Sequence, residues 1–520
     1  MAGPKPNIQE TLAAIYKSLE AGAFERAETI ARHLQQAYPR RADVNDALGQ
    51  VLLAAGLFDE AETYFRRAVE GEKNNPDYLG NLGRALRSMG RVTEAEPLLM
   101  RALAIAPRNF STAWQLGKFC LDTGQGRRAI EFFGKAQTQA PPRAREAIRL
   151  DLIEALVGLG ETEQAKTEIE RGLSSGYYAP QLIAQLAALS RADAGGEVYR
   201  VIEEQLQRRD LLAKDRRVLL LSKGTILERG GDYDAAYDAI AQAKRTTASA
   251  TDIEGFGRNA GLRVATFSQN MIESLGRLYG TPGNRYVFVV GLPRTGTTLV
   301  EQIISRHSEA GGMGELETMT YVAAQLRGVG PFSALGERLA AMGPAKVKAL
   351  AAIYAGVAEH LAPGKKCVID KMPHNFRHIG EIAILFPEAR FIHCMRHPAD
   401  SFISAFQNDM APSHGYSYAP ENYAAYYAHY MKLMDHWKKV LPGRFFDVSY
   451  ETLVTKPRET IESLLSFLGL PWEEACLSPH EGKDTVRTFS NVQIRSPINA
   501  KSIGRWKPYA KYLAALTSAS

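Results

Sequence analysis

Residues 286–298 read YVFVVGLPRTGTT, an apolar run followed by a loop rich in glycine and threonine. The apolar run at 286–290 predicts a strand that is buried on both faces of a parallel sheet. The loop then leads into a helical pattern, so its amides and the helix N-terminus favour a negative charge at one point. Thr297 and Thr298 add hydroxyl donors. We therefore expect an anion-binding loop at the carboxyl end of this strand, where open α/β sheets hold ligands.

The loop differs from the nucleotide-binding P-loop, GxxxxGK[ST], at its lysine. The glycines match at Gly291 and Gly296, but Thr297 stands where the P-loop has lysine. Arg294, inside the loop, supplies a cation instead. An ATPase or kinase would also need an acid that binds Mg²⁺ at the end of a later strand. The nearest candidate is Asp370, but the cationic Lys371 follows it at once. The sequence thus favours an anion held without a metal, and a loop that binds nothing is the alternative.

Three further strands are expected at 366–369, 390–395 and 444–449, each followed by turn residues and a helical pattern. Strands that alternate with helices predict a doubly wound α/β domain at 280–520, in which helices flank a parallel sheet. The residues just before this domain, 265–279, predict one further helix.

The first half of the chain repeats with a period of 34 residues. Glycines mark the period and an alanine follows each by five residues, at Gly22, Gly56, Gly90 and Gly124 and at Ala27, Ala61, Ala95 and Ala129. Leu-Gly pairs precede these glycines, as in the tetratricopeptide repeat. We expect about seven repeats at 8–250, one of them degenerate at Gly196. They would form an all-α solenoid in which small glycine and alanine side chains let helices approach closely.

Composition places the chain among ordinary folded proteins. Its 520 residues are 45% hydrophobic and 23% charged, which suits two domains or more. Four cysteines are too few for a disulfide scaffold. The first residues show no basic segment before an apolar core, and no apolar run reaches the ~20 residues of a membrane-spanning helix. We therefore expect a soluble, cytoplasmic protein.

Positive charge is concentrated near the C-terminal end of the sequence. Residues 485–520 contain six bases and no acid, although the whole chain carries a net charge of only +6. The same stretch contains Trp506 and Tyr509, and is too apolar for a free tail. We expect it to pack on the rest of the domain and to present its bases to an anionic ligand.

The loop GLPRTGTTL (291–299) resembles the 5′-phosphosulfate loop of sulfotransferases, which use 3′-phosphoadenosine 5′-phosphosulfate (PAPS) as donor. A second stretch, RFIHCMRHPADSFIS (390–404), resembles the 3′-phosphate loop of that family. Arg396 in this stretch offers a planar, bidentate fork to a phosphate, and Ser404 offers a hydroxyl. The resemblance implies that the donor is bound by Arg294, Thr295, Gly296, Thr297, Thr298, Arg396, Ser404, Tyr450, Ser490 and Arg505.

The chain is most similar to the tyrosylprotein sulfotransferases and their bacterial relatives that carry tetratricopeptide repeats. This resemblance covers 280–512 together with the repeats. It implies that Glu315, after a short glycine-rich turn at 311–314, is the catalytic glutamate. Lys371 matches the lysine that stabilises the transition state in that family.

The same resemblance extends to the C-terminal residues. Ser490, Gln493, 497–499 and 504–506 match a segment that closes over the donor, with Arg505 in place of a lysine. One position departs from the family's pattern. Asn408 stands where a further arginine for the 3′-phosphate is expected, so donor affinity could be weaker or another base could substitute.

Sulfuryl transfer implies a direct, in-line reaction with an acceptor hydroxyl, without a covalent enzyme intermediate and without a metal. Arg294, Lys371 and Ser490 are expected to stabilise the charge that builds up in the transition state. Glu315 is expected to take the acceptor proton, and His374 is the rival base.

Three hypotheses of function stay open. The first is a protein or peptide sulfotransferase, plausibly acting on tyrosine, whose repeats recruit the acceptor; a fragment of 260–520 should then keep donor binding. The second is a sulfotransferase for a carbohydrate or small metabolite, whose repeats serve assembly, for example as a homo-oligomer. The third is an inactive scaffold. Neither a nucleic acid nor a membrane is expected as a partner.

Overall fold

The computed structural model describes residues 7–175, 180–246, 251–482 and 496–517. The chain forms two compact units, Met1–Ile148 and Arg149–Ser520. The division falls inside one helix, Pro142–Leu159, and not where the 34-residue period ends. The domain boundaries predicted from the sequence, at 250 and 280, therefore stay predictions.

The described part of the first unit is built from helices. They are α1 Ile8–Glu20, α2 Phe24–Ala37, α3 Ala42–Ala54, α4 Phe58–Gly71, α5 Pro76–Ser88, α6 Val92–Ile105, α7 Phe110–Asp122, α8 Gly126–Gln139 and the start of α9 Pro142–Leu159. From α1 to α8, each helix packs on the next along the chain. This nearest-neighbour packing is the arrangement of a repeat array, in which each helix pair buries its apolar face on the next pair.

The periodic glycines serve the turns between helices rather than the close approach expected of them. Gly22 has φ +72° and Gly56 has φ +77°, a left-handed conformation that glycine adopts most easily. An added Cβ at either position would have no atom within 4 Å. Close approach occurs instead at the Leu-Gly pairs, where a Cβ on Gly49 would lie 2.7 Å from the ring of Phe65. The period therefore records a backbone requirement at each turn.

The second unit begins with more helices. They are the rest of α9, α10 Thr162–Ser174, α11 Pro180–Leu189, α12 Glu197–Leu206, α13 Ala213–Arg229, α14 Tyr233–Arg245, α15 Ile253–Thr266 and α16 Gln269–Tyr279. The single helix predicted at 265–279 is wrong in its start, because α15 ends at Thr266 and α16 begins at Gln269. Ser268 separates them, and its hydroxyl accepts the amide hydrogen of Met271 as an N-cap.

A five-stranded parallel sheet forms the centre of the second unit. Its strands are β1 Tyr286–Gly291, β2 Ala310–Gly312, β3 Cys367–Asp370, β4 Arg390–Met395 and β5 Phe445–Ser449, in the order β2-β3-β1-β4-β5. The four predicted strands are present, with β3 and β5 starting one residue late. The glycine-rich turn predicted at 311–314 is wrong in part, because Ala310–Gly312 pairs with β3 as an edge strand.

Helices cover the sheet. They are α17 Thr297–Ser305, α18 Thr318–Arg327, α19 Leu335–Met342, α20 Pro344–Leu361, α21 Ile379–Leu385, α22 Pro398–Phe406, α23 Pro420–Val440, α24 Tyr450–Thr455, α25 Pro457–Leu468 and α26 Ala514–Thr517. Short 3₁₀ helices occur at Phe332–Ala334, Pro373–Arg377, Pro412–Tyr418, Glu474–Leu477, Pro479–Glu481 and Lys507–Tyr512. None of the helices in the described ranges is both long and apolar enough to cross a membrane.

The strand order locates the ligand-binding edge of the sheet. After β1 the chain fills one side of the sheet with β2 and β3, and then crosses to the other side with β4 and β5. Gly291 at the end of β1 pairs in register with Cys394 of β4. The loops that leave β1 and β4 therefore diverge from neighbouring strand ends, which is the topological switch point where such sheets bind ligands.

Candidate active site

The loop after β1 is shaped by two residues with left-handed backbone. Gly296 has φ +96°, and a Cβ there would lie 2.9 Å from the ring of Tyr450. Arg294 has φ +74°, a conformation that costs a non-glycine residue of order 1–3 kcal/mol and that clusters at functional sites. The hydroxyl of Thr295 donates to the carbonyl of Leu292 at 2.8 Å and closes the loop. The loop is thus held open at the N-terminus of α17, where Thr297 and Thr298 lie buried.

The loops after β1 and β4 contact each other directly. The Nε of Arg294 donates to the hydroxyl of Ser404 at 2.9 Å. The Nη1 of Arg396 donates to the carbonyl of Arg294 at 3.1 Å. Ser404 lies in α22, the helix that follows β4. The residues predicted for the two phosphate groups of one nucleotide are therefore neighbours, although about 100 residues separate the loops in the sequence.

Three guanidinium groups converge at this switch point. Burial, together with the positive charges of Arg396 and Arg505, lowers the pKa of Arg294 to about 10. Burial also lowers the pKa of Arg396, whose guanidinium lies 4.7 Å from the ring centre of Tyr450. The buried Nε of Arg396 has no hydrogen-bond partner among the described residues. Clustered cations and an unpaired donor are unfavourable unless an anion binds to them.

The C-terminal segment is attached to this site by a residue that the sequence analysis missed. The carboxylate of Asp400 in α22 accepts the amide hydrogens of Gly504 at 2.8 Å and Trp506 at 3.0 Å. Asp400 is only 1% exposed, and the ring of Trp506 stacks on His397. These contacts hold 504–506 on α22. The only signal in the sequence is an aspartate in the first turn of a helix that begins at Pro398.

A second cluster surrounds Lys371 at the end of β3. Its Nζ lies 2.5 Å from Glu315 Oε1 and 3.7 Å from Glu301 Oε2. Lys371 is 1% exposed, whereas the side chain of Glu315 is 40% exposed. Burial lowers the pKa of Lys371, but the two carboxylates outweigh burial and raise it. Lys371 therefore stays protonated beside a glutamate that reaches solvent.

Glu301 is a further residue that the sequence analysis missed. It lies in α17 and is buried there. In the sequence this helix predicts only packing against the sheet, so Glu301 was not expected at the site. Its Oε1 accepts the amide hydrogen of Gly314 at 2.9 Å, next to Glu315. Burial raises the pKa of Glu301, and Lys371 opposes that shift. Glu301 thus connects the helix of the anion loop to the backbone that carries Glu315.

The other acids and bases near β3 have structural partners. Asp370 accepts from Tyr354 at 3.1 Å and from Asn375 at 2.9 Å, and burial raises its pKa to about 7. No cluster of His, Cys, Asp or Glu suited to a metal ion occurs in the described part of the chain. Burial and neighbouring cations hold the pKa of His374 well below its usual value. His374 packs against His414, with ring centres 4.8 Å apart.

A basic pocket of about 620 Å³ is lined by Arg377 and His378, which follow His374 closely in the sequence. Its guanidinium groups come from four elements, at Arg263, Arg327, Arg338 and Arg377. Ser413, next to His414, also lines the pocket. Burial and the charge of Arg377 lower the pKa of His414 to about 4, and the charge of Glu315 opposes that shift. The sequence analysis missed the pocket because its arginines are spread over 115 positions without a common motif.

The predicted site residues thus fall into two neighbouring groups. One group contains the anion loop with Arg396, Ser404, Tyr450 and Arg505, and the other contains Glu315 with Lys371. Ser490 and Gln493 lie outside the described residues. Asn408, which stands where a further arginine is expected, donates to the carbonyl of Ser404 at 2.6 Å. Its side chain therefore stabilises the end of α22. Arg505 supplies a third guanidinium near Arg294 and Arg396.

Comparisons with known proteins agree with this architecture. Residues 286–474 match the model of the Sulfotransferase family, and residues 18–78 and 52–118 match models of the Tetratricopeptide repeat. The chain therefore combines a sulfotransferase domain with an all-helical tetratricopeptide array, as the sequence predicts.

Individual relatives are distant. An uncharacterized protein of Aquifex aeolicus (strain VF5) is 28% identical over 408 residues, which cover 76% of this chain and 53% of that protein. This chain thus spans about half the length of that relative. A putative protein-tyrosine sulfotransferase of Caenorhabditis briggsae is 28% identical over 42% of this chain and 80% of its own length. The solved sulfotransferase domain of the Synechococcus PCC 7002 olefin synthase is 23% identical, covers 46% of this chain and 96% of its own, and has a TM-score of 0.34.

Proposed function

We propose that this chain, whose residues 286–474 form a sulfotransferase-family domain, transfers a sulfuryl group from PAPS to an acceptor hydroxyl. The observation that carries the proposal is the convergence of Arg294, Arg396 and Arg505 at the switch point between β1 and β4. PAPS bears negative charge at both its 3′-phosphate and its 5′-phosphosulfate. Two loops with cationic side chains at neighbouring strand ends suit a ligand with two anionic ends.

The proposed donor site uses both loops. The loop amides and the N-terminus of α17 would hold the 5′-phosphosulfate, with Thr297 and Thr298 as hydroxyl donors. Arg396 and Ser404 would hold the 3′-phosphate, and the unpartnered Nε of Arg396 suits that role. Arg294 now donates to Ser404, so a bound donor would separate these two side chains. Tyr450 lies between the loops and would border the nucleotide.

The proposed reaction is one in-line displacement. The acceptor oxygen forms a bond to sulfur while the bond from sulfur to the 5′-phosphate oxygen breaks, which leaves a sulfate ester and 3′-phosphoadenosine 5′-phosphate. Negative charge builds on the oxygen of the leaving phosphate. The buried ammonium of Lys371, kept protonated by its two carboxylate neighbours, would stabilise that charge.

Glu315 is the proposed base that takes the acceptor proton. Its partly exposed carboxylate can reach an acceptor, and Lys371 and the turn at Gly314 orient it. His374 suits the role less well, because its low pKa makes it a weak proton acceptor.

The proposed acceptor is a tyrosine of a protein or peptide. Relatives named as protein-tyrosine sulfotransferases support this choice. The basic pocket near Glu315 also supports it, because its four arginines suit acidic groups that flank the acceptor hydroxyl. The tetratricopeptide array would recruit the polypeptide, since such arrays present extended concave binding surfaces. A cytoplasmic location and a homo-oligomer stay predictions of the sequence.

Transfer of ³⁵S from labelled PAPS tests the proposal. The purified chain is incubated with labelled PAPS and a lysate of its own organism, and the label is resolved into protein, glycan and small-molecule fractions. We expect label in the protein fraction, on tyrosine, and we expect Arg396→Ala to reduce it. Label in the glycan or small-molecule fraction would contradict the acceptor. Failure to bind 3′-phosphoadenosine 5′-phosphate would contradict the donor.

A further inference from the structure

Arg505, one of the three converging arginines, is held by a helix from the repeat-like part of the second unit. Its Nη2 lies 2.7 Å from the carboxylate of Glu228 in α13. The same nitrogen donates to the side-chain oxygen of Gln407 at 2.8 Å, and Gln407 donates to Glu228 at 2.6 Å. The three side chains therefore form a closed triangle. Glu228 and Arg505 are 277 positions apart in the sequence.

The triangle holds Arg505 in a way that leaves it able to bind an anion. Both recorded contacts use Nη2, so Nε and Nη1 make no hydrogen bond to any residue in the described ranges. The backbone of Arg505 is also fixed, because Asp400 accepts the amide hydrogens of the residues on either side of it. One edge of the guanidinium is thus anchored, and the other edge makes no hydrogen bond within the described ranges.

The charge of Glu228 has an energetic role in this arrangement. Arg505 is close enough to Arg294 and Arg396 that its positive charge lowers the pKa of both, in addition to the effect of burial. Like charges at this separation repel, and a mobile arginine side chain would turn toward solvent. Glu228 is 15% exposed at its side chain, so its attraction for Arg505 is only partly screened by water.

A neighbouring contact joins the same two segments but lies farther along the chain. Asp234 in α14 pairs with Lys511 at 2.7 Å and accepts from the hydroxyl of Tyr512 at 3.0 Å. Tyr512 also stacks on Tyr237 with ring centres 3.9 Å apart. These contacts attach the C-terminal segment to α14 without involving any of the three converging arginines. They provide a matched control for Glu228.

We propose that Glu228 is a positioning residue for donor binding, which acts by holding Arg505 at the anion site. The proposal rests on the proposed function, because it takes the converging arginines as the donor site. Glu228 itself does not contact the donor. It orders the Arg505 side chain before binding and offsets its repulsion from Arg294 and Arg396. Helix α13 therefore supports the donor site and is not only a spacer between the repeats and the sheet.

A double-mutant cycle in the full chain tests this proposal. Binding of 3′-phosphoadenosine 5′-phosphate is measured by calorimetry for wild type, Glu228→Ala, Arg505→Ala and the double variant. We expect Glu228→Ala to raise the dissociation constant roughly tenfold in the wild-type background, and less than about twofold when Arg505 is already alanine. Glu228→Gln, which keeps an acceptor oxygen without the charge, should give an intermediate increase of about threefold. Asp234→Asn should leave the constant within about twofold of wild type.

Each outcome decides the matter. If Glu228→Ala weakens binding equally with and without Arg505, its effect is a general loss of structure and the positioning role is wrong. If neither Glu228→Ala nor Glu228→Gln changes binding, the proposal is also overturned. Should Glu228→Ala not fold, the comparison of Glu228→Gln with and without Arg505 is read in the same way. If wild type itself does not bind the nucleotide, the proposed function fails, and this outcome is distinct from the others.

Discussion

Two helical regions of this chain have the same repeat pattern but different partners. In the first unit, ion pairs such as Arg32–Glu60 and Arg66–Glu94 join each helix pair to the next, at a spacing of 28 residues. In α13 and α14 several charged residues instead contact the sheet-bearing part of the second unit. Lys244 donates to the carbonyl of Asn408 at 2.6 Å, for example. The same local pattern thus forms part of a helical array in one place and packs on the sheet-bearing part of the second unit in another.

A repeat in the sequence therefore does not mark a structural boundary. Gly231, with φ +84°, turns the chain between α13 and α14 just as Gly22 does between α1 and α2. The period reports this turn, which is a local property of the backbone. Which unit a helix joins depends on side chains such as Glu228 and Asp234, whose partners lie far away in the sequence.

Truncation of the chain should have the largest effect on nucleotide binding. A fragment of 260–520, which the sequence suggests as an independent domain, would expose the faces of Tyr512 and Phe406 that pack on Tyr237, and would lose Glu228. We expect this fragment to aggregate or to lose measurable binding of 3′-phosphoadenosine 5′-phosphate. A fragment of 149–520 should bind the nucleotide like the full chain. Equal binding by the two fragments in calorimetry would show that α13–α14 are dispensable.

Glu315→Gln should reduce turnover without changing nucleotide binding, to which the helical regions are proposed to contribute. The amide keeps the shape of the side chain but cannot take a proton, so turnover should fall by about 10²-fold or more. Nucleotide affinity should change little. Both are measured with labelled PAPS and a phenol acceptor, whose pKa of about 10 makes a base necessary at neutral pH.

Glu317→Gln is the control for this prediction. Glu317 is exposed and lies two residues away, just before α18, so its substitution should have a much smaller effect. A larger loss in His374→Ala than in Glu315→Gln would assign the base to the histidine.

Arg396→Ala should weaken nucleotide binding directly, and the effects of substitutions in the repeat-like helices can be compared with this loss. Loss of a charge-assisted fork costs roughly 1.5–3 kcal/mol, which is about 10- to 150-fold in the dissociation constant. The loss should be larger for 3′-phosphoadenosine 5′-phosphate than for 5′-AMP, because only the first carries the 3′-phosphate. If the variant prefers the 3′-phosphorylated nucleotide as strongly as wild type does, Arg396 has another role.

A substitution in the first unit should have the smallest effect, and on stability alone. Gly49→Ala adds a Cβ 2.7 Å from the buried ring of Phe65, and such overpacking costs about 1–3 kcal/mol. We expect the first unfolding transition in calorimetry to fall by a few degrees, while nucleotide affinity stays the same.

Gly134→Ala is the matched control in the same unit. It lies inside α8, where an added Cβ has no atom within 4 Å. Alanine is the better helix former by roughly 1 kcal/mol, so this variant should be slightly more stable than wild type. A change in nucleotide affinity in either variant would indicate that the first unit influences the donor site.

The local features of this protein could be predicted from its sequence. The apolar run at 286–290 predicts β1, because a strand buried on both faces needs continuous apolar residues. Glycine at each repeat turn and at Gly296 follows from the left-handed backbone there. The residues of the two anion loops were recognisable because each loop is one short segment between a strand and a helix. Register and motif spacing carry this information along the chain.

The side chains that complete the candidate site are recognisable only once the chain is folded. Glu228, Glu301 and Asp400 have no motif of their own, and an acidic residue in a helix is most often solvated. Their partners, Arg505, Lys371 and the amides at 504–506, lie between 70 and 277 positions away. Such pairs form when packing brings distant segments together and removes water from between their charges. A period or a spacing in the sequence cannot encode that meeting, because it depends on how the whole unit folds.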